Sequence, residues 1–596
     1  MKETAGGRLH LYLIVILFAA AVYIGCMISP PSLMDDSDAV EAQIARNMLT
    51  SGDWVTPHLD GVPYMEKAPL INWGIAICLK IFGPYDWSAR IPVVVAAIGL
   101  AWLTAAFGMW AFGRLAGFYA GLSISTCVGL FLFTRVQIPD VVVTAAMALS
   151  MWAFLRAIDD EEARPRWWAM VFAATLGTSL LLKSLIGVVF PVGAGVVYLA
   201  LTGQLGLWRR LRPFTGALIV IAIAAPWHIL ATLRNPPYFA LTMHSAPGEY
   251  HGFLWFFVIN EQLLRFLNLR YPRDYNTVPR VWFWLLHLVW LFPWSVYFPA
   301  VAKLSFRPVD RAGKTRLLAL CWTGFVLVFF TFSTTQEYYS MPCYPALALL
   351  LGSAMAAGGP WVRWGTRALS AILACCAIAA GTLWFLTRGQ ATPGDISNAL
   401  SSHPGAYTLS LGHIEDLNLK SFAYLRAPLL AAAVAFAVGA IGTVLASGRR
   451  AYLAAGVMMV LFFQAARMAL VVFDPYLSSR PLAEALLRAP EGKLIVDHHY
   501  YTFSSVFFYT NRRALLLNGR FNNLVYGSYA PGAPDVFLDD AQWQKLWLGP
   551  ERAYIVASQT ALERLQKLVG AERLITLAES GGKLVLCNQP VESSRL

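Results

Sequence analysis

The segment Met34-Asp-Asp-Ser-Asp38, followed by Glu41, puts four carboxylates into seven residues. One reading is local: Asp38 and Glu41 have the spacing of a capping box, and the other acids suit the positive end of a helix dipole. The other is chemical, a proton acceptor held beside an apolar stretch. Downstream, Tyr64, Glu66 and Lys67 bring a phenol, a carboxylate and an ammonium together. That set could stabilise an anion, or form an interfacial ion pair with a snorkelling lysine. In Arg135-Val-Gln-Ile-Pro-Asp140, Pro139 disfavours helix at Ile138 and sets Asp140 at a helix start. A cap would suffice there, yet two separated carboxylates facing one cavity are also an acid/base arrangement. Lys183-Ser184 interrupts an apolar run, where an ionisable residue is a functional candidate. Glu261 and Arg265 are spaced i, i+4, as in a helix-surface pair. Tyr338-Tyr339 fits an interfacial aromatic belt.

Other groups offer less. His244 and His251 are too loosely spaced for a convincing metal site. His498 and His499 are adjacent, so on a strand they would point to opposite faces. The eight cysteines show no redox or zinc spacing and read as small buried hydrophobes.

The elements that must hold these residues are mostly transmembrane helices. The chain has 596 residues, 57% hydrophobic and 13% charged, with a mean hydropathy of +0.54. So little charge could not cover a water-soluble protein of this length, and such hydrophobicity excludes disorder. Apolar stretches of about 20 residues recur about thirteen times, beginning with a retained helix at Leu9 to Ile28 after the polar head Met1 to Arg8. Arg114, Arg156, Arg209, Arg210, Lys314, Arg363 and Arg449 fall on one side, which is therefore cytoplasmic. The net charge of +12 is then topology and lipid contact, not nucleic-acid binding. The opposite side receives residues 30–90, the tip near 135–140, residues 234–280, 333–340 and 388–427, and the tail.

Two domains are expected, a transmembrane domain over 1–473 and a C-terminal α/β domain over 474–596. In the first outer loop Val40, Ile44 and Met48 predict an amphipathic helix lying along the membrane. In the tail, Lys493 to Asp497, Ala514 to Leu517, Ala553 to Ala557 and Lys583 to Leu586 read as strands. Gln559 to Val569 reads as a helix.

Several segments together resemble one family. Asp-Asp-Ser-Asp38, Ile44-Ala-Arg-Asn-Met-Leu49, Gly52-Asp-Trp54, Tyr64-Met-Glu-Lys-Ala-Pro69 and Phe82-Gly83 follow one first-loop pattern. Arg135 with Asp140, Leu182-Lys-Ser-Leu-Ile-Gly187, Pro226-Trp227, Asn260 to Phe266, Pro293-Trp-Ser295 and Tyr339-Ser-Met-Pro342 continue it in order. The pattern is similar to the aminoarabinose-transferase branch of the protein mannosyltransferase-like glycosyltransferases. That resemblance implies the GT-C fold, with the tail and active site on the periplasmic face of the bacterial inner membrane.

It also implies a transferase that moves a sugar from a polyprenyl-phosphate donor to a glycolipid such as lipid A, a glycan or a protein hydroxyl. Carried over residue by residue, Asp36 or Asp38 would be the base, with Asp38 favoured, and Asp140 the second carboxylate. The family's Asp-Glu pair aligns with Ser37-Asp38, so the choice stays open. Lys67, Arg265, Tyr64 and Tyr339 would hold the donor phosphate, and Glu66 is associated with a divalent cation. Three positions depart from the pattern: Val40 replaces an arginine, Gln262 a histidine, and the Gln336-Glu337 region a lysine. The rival readings are a flippase of lipid-linked sugars and a catalytically silent polyprenyl-phosphate binder. No inverted repeat supports the first, and the acids and bases present weigh against the second.

Overall fold

The computed structural model describes residues 6–273, 277–400, 416–522 and 524–591. Residues 1–5 of the polar head, 274–276 and 401–415 of the outer segments, and the last five residues of the tail lie outside the described residues.

Among the described residues, nine helices are long and apolar enough to cross a membrane. The number rises to eleven if the bent pairs Arg114–Ser125 with Val128–Thr134 and Arg280–Trp290 with Trp294–Val301 each count as one span. This corrects the expected thirteen. Two stretches fall short. Pro165–Lys183 begins Pro-Arg-Trp-Trp and ends on Lys183. Ile186–Leu201 has 16 residues, which at helical rise reach about 24 Å across a core of about 30 Å. Ser184, at φ 68°, separates the two.

The helices pack through small residues, as expected where lipid supplies no hydrophobic drive. Asp86–Phe112 and Arg114–Ser125 form an antiparallel pair whose backbones nearly touch. A Cβ on Gly117 would stand 2.2 Å from the Met109 nitrogen, so no larger residue fits there.

The tail carries a six-stranded mixed sheet. A hairpin in the first outer loop supplies β1 (His58–Leu59) and β2 (Val62–Pro63). The tail supplies β3 (Lys493–Asp497), β4 (Leu515–Leu517), β5 (Phe537–Leu538), β6 (Ala553–Ser558), β7 (Ile575–Ser580) and β8 (Lys583–Cys587). The order is β5-β4-β3-β6-β8-β7. Strands β3 to β6 pair in parallel, and β8 pairs antiparallel with β6 and β7. Four of these strands fall on the apolar runs read from the sequence, and the expected helix is Leu562–Val569.

Strand periodicity gives this sheet two faces. Ile495, Leu517, Ile555, Leu584 and Leu586 pack under Trp543, Trp547 and Leu565. Leu494, Val496, Leu516, Val556 and Val585 join Val40, Ile44, Met48, Leu59, Val62 and Tyr64 of the first outer loop. Helix Ser37–Ser51 therefore does not turn its apolar stripe to lipid. Val40, Ile44 and Met48 pack with the tail, while Ala39, Ala42 and Ala45 on its other side join the transmembrane core. Both faces being buried, the helix is a wedge between bundle and tail.

Candidate active site

Where the wedge meets the bundle lies a cavity of about 150 Å³. Its polar wall contains Ser37, Glu66, Lys67, Asp140, Lys183, Glu261, Arg265 and Tyr339, and its apolar wall Phe257, Phe329 and Phe330. Residues far apart in the chain converge here, several of them at the ends of elements. Asp140 opens helix Asp140–Ile158 directly after Pro139, where a carboxylate suits the helix dipole. Lys183 closes helix Pro165–Lys183. Its ammonium donates to Asp140 and lies 5.3 Å from the ring centres of both Tyr338 and Tyr339. Glu261 lies in the π-helix Trp255–Leu264, with Arg265 directly after it. Asn260 fastens this turn to the following loop, donating to the Tyr271 carbonyl at 2.6 Å and accepting from its N–H at 2.9 Å.

One edge of the cavity is a chain of paired charges. Arg265 donates to Glu261 at 2.7 Å and to the Tyr339 hydroxyl at 2.8 Å. Lys67 lies 3.5 Å from Glu66, and the Tyr64 hydroxyl donates to Glu66 at 3.0 Å. Burial alone would raise the Glu66 carboxyl, but Lys67, then Arg270 and Arg265, outweigh it and hold it at about 2. Burial pulls the Lys67 ammonium down, and Glu66 and Glu41 more than reverse this, so Lys67 stays charged. This edge suits an anion held between Lys67 and Arg265.

The acidic segment is held differently. Asp35 accepts from the Ser505 N–H and hydroxyl, the Ser479 hydroxyl and the Lys583 ammonium, all from the tail, at 2.6–2.9 Å. Asp36 occupies the N-cap position of helix Ser37–Ser51 at φ 72°, in the left-handed region. Its N–H donates to the Tyr501 carbonyl at 2.9 Å, and its carbonyl accepts from the Ser504 hydroxyl at 3.1 Å. Asp38 is 1% exposed. It accepts from Arg90 at 3.1 Å, the Met34 N–H at 3.1 Å, and the Gln137 N–H and amide at 3.1 and 3.2 Å.

Of the residues singled out in the sequence, Glu66, Lys67, Asp140, Lys183, Glu261, Arg265, Tyr338 and Tyr339 line the cavity. Tyr64 stands behind Glu66. Neither Asp36 nor Asp38 lines the cavity; Ser37 between them does, and the Asp38 carboxylate is turned into the pocket of Arg90 and Gln137. Sequence reasoning missed Arg90, Arg270 and Tyr501. Arg270 stands in Asn-Leu-Arg-Tyr-Pro-Arg273, five residues after Arg265 and three before Arg273. Tyr501 reaches the site from the tail, its hydroxyl 2.5 Å from that of Tyr64. A charge inside an apolar helix could have signalled Arg90, but no local signal marks Arg270.

The residues present do not suit a divalent cation at Glu66. Its carboxylate already meets Lys67, Tyr64 and, at 3.7 Å, Arg270. Among the described residues, no group of three or more His, Cys, Asp or Glu side chains is placed to hold a metal.

The model of the dolichyl-phosphate-mannose-protein mannosyltransferase family matches residues 66–230, a span that contains Glu66, Lys67, Asp140 and Lys183. Undecaprenyl phosphate-alpha-4-amino-4-deoxy-L-arabinose arabinosyl transferases are similar in sequence. That of Pseudomonas aeruginosa (strain UCBPP-PA14) is 31% identical over 327 residues, 53% of this chain and 54% of the relative. That of Aeromonas salmonicida is 28% identical over 322 residues, 52% of this chain and 54% of the relative. The chain spans about half the length of the curated relatives it matches. In structure it is similar to ArnT from Cupriavidus metallidurans bound to undecaprenyl phosphate. The TM-score is 0.77 at 22% identity, covering 98% of this chain and 99% of that one. For the apo state of the same protein the TM-score is 0.75 at 21% identity, covering 98% of each chain. The chain is a polytopic helical membrane protein with the fold of ArnT from Cupriavidus metallidurans, and over about half its length it is similar in sequence to the aminoarabinose transferases.

Proposed function

We propose that this chain is a glycosyltransferase of the bacterial inner membrane that takes a sugar from a polyprenyl-phosphate donor. The acceptor is a hydroxyl of an envelope glycolipid such as lipid A, a glycan or a protein, reached from the periplasmic side. The supporting observation is the cavity wall itself: Lys67 and the Arg265–Tyr339 pair on one edge, Asp140 with Lys183 on another, and Ser37 at the start of the acidic segment. The similarity to transferases whose named donor is an undecaprenyl-phosphate sugar points the same way.

In this reading the donor phosphate sits between Lys67 and Arg265, with the Tyr339 hydroxyl beside it. A carboxylate takes the acceptor's hydroxyl proton, and the oxygen attacks the anomeric carbon. The bond from that carbon to the phosphate oxygen breaks, and polyprenyl phosphate departs with the electron pair. The two cations stabilise the charge that grows on the leaving oxygen, which is where preorganised charge contributes most. Direct displacement inverts the anomeric centre. Asp36 is the better candidate for the base than Asp38: it is partly exposed and accepts at 3.2 Å from the hydroxyl of Ser37, which lines the cavity, whereas Asp38 is buried with every oxygen accepting from Arg90, Gln137 or Met34. Asp140, neutralised by Lys183, orients the acceptor.

The test uses the purified chain in nanodiscs with radiolabelled polyprenyl-phosphate sugars and an envelope lipid extract. Label should move to an acceptor with the wild type, and stop moving in Asp36→Asn and Asp140→Asn. Donor binding without transfer across a broad donor and acceptor panel would replace this reading with that of a binder or flippase. Trans-bilayer movement of the donor would then choose between those two.

A further inference from the structure

In the cavity wall two carboxylates from different elements face one another. Glu66 comes from the first outer loop and Glu261 from the π-helix, and both are buried. Two such groups repel unless a cation lies between them. The cation here is Arg270, whose side chain is fully buried. Its Nε donates to Glu261 Oε1, and one Nη lies 3.7 Å from Glu66 Oε2. The other Nη donates to the Pro272 carbonyl at 2.5 Å. The guanidinium also lies 5.9 Å from the Phe256 ring centre.

The remaining oxygens are committed as well. Glu66 Oε1 faces Lys67 at 3.5 Å, and Glu66 Oε2 also accepts from Tyr64. Glu261 Oε2 accepts from Arg265 at 2.7 Å. Each carboxylate thus gives one oxygen to Arg270 and the other to a cation that faces the cavity. Arg270 itself does not reach the cavity.

We infer that Arg270 is a positioning residue that does, in this chain, the electrostatic work for which a divalent cation bridging Glu66 and Glu261 would otherwise serve. It holds the two carboxylates together, and they in turn aim Lys67 and Arg265 at the donor phosphate. A planar guanidinium is suited to this because it stays charged and offers several N–H donors in a fixed fork. A dication entering here would have to displace those donors and sit among Lys67, Arg265 and Arg270. The inference rests on the proposed polyprenyl-phosphate site and adds that this site works without metal.

The experiment uses the full-length chain in nanodiscs, with undecaprenyl phosphate as probe and binding read by native mass spectrometry. Metal content is measured on the same samples. After exhaustive chelation the wild type should bind the probe as before, and it should carry far less than one metal per chain. Arg270→Gln should weaken binding about tenfold or more, because it leaves two buried carboxylates without the cation between them, and Arg270→Lys should recover part of it. Loss of wild-type binding on chelation, restored by zinc or magnesium, would overturn the inference. So would wild-type affinity in an Arg270→Gln protein that melts normally. Should Arg270→Gln not fold, the chelation arm and Arg270→Lys decide. A wild type that never binds undecaprenyl phosphate would sink the underlying donor reading, and this inference with it.

Discussion

Asp36 and Asp38 are two residues apart and sit in opposite environments. Asp38 is a buried carboxylate with four donors around it, so removing its charge strands Arg90. Breaking a buried pair costs about 3–5 kcal/mol, and Asp38→Asn should lower the thermal midpoint markedly in a melting experiment. Asp36 is strained and only partly buried. Asp36→Asn should therefore leave melting nearly unchanged and reduce turnover by about 100-fold or more, the usual scale of a lost general base. Equal turnover losses with equal melting would contradict this division.

The cations also set a pH expectation. Glu66 is held at about 2, below its ordinary value, so its ionised form is fully present above the usual carboxylate range and is lost only as pH falls toward 2. Lys67 is raised, so its charge is lost only above the usual lysine range. Binding of undecaprenyl phosphate should accordingly be flat between about pH 7 and 9, measured as dissociation constants in one buffer series.

Between elements, the hairpin β1–β2 is fixed by its turn. Asp60 and Gly61 both have positive φ, 52° and 83°, as a two-residue hairpin turn of the primed kind requires. The Asp60 carboxylate is buried against the tail and accepts from the Ala514 N–H at 3.1 Å. Burial raises it to about 7, against the opposing pull of that bond and Arg513. A raised pKa contributes stability that is complete below the ordinary aspartate value and is lost as pH rises through about 7. Wild-type melting temperature should fall over that window, and Asp60→Asn, which keeps an Asn-Gly turn, should flatten the fall. The Tyr501 hydroxyl likewise joins tail to loop through Tyr64. Tyr501→Phe should weaken donor binding more than it lowers the melting temperature, which calorimetry beside a binding titration would show.

At the scale of the molecule, one apolar cluster contains both the first outer loop and the tail sheet, so these two must lie on the same side of the membrane. Introduced cysteines at Ser51 and Glu551 should be labelled by an impermeant thiol reagent from the same side. A cysteine at Arg209 should be labelled from the other, in a background where exposed Cys375 is replaced by Ala. Labelling of Ser51→Cys and Glu551→Cys from opposite sides would contradict the packing.

Composition and the runs of apolar residues determined that this chain is a bundle of membrane helices with a strand-rich tail, because burial in lipid and in a sheet each impose a period that a sequence displays. The acids and bases of the site could also be named, since charges are conspicuous among apolar neighbours. Their partners could not. That Asp38 belongs to Arg90, that Arg270 bridges Glu66 and Glu261, and that Tyr501 reaches Tyr64 depend on contacts between residues up to 437 positions apart. No local period encodes such contacts. Even the stripe Val40, Ile44 and Met48 reads the same whether it faces lipid or protein, because hydrophobic burial has no preference between them until the tail is folded against it.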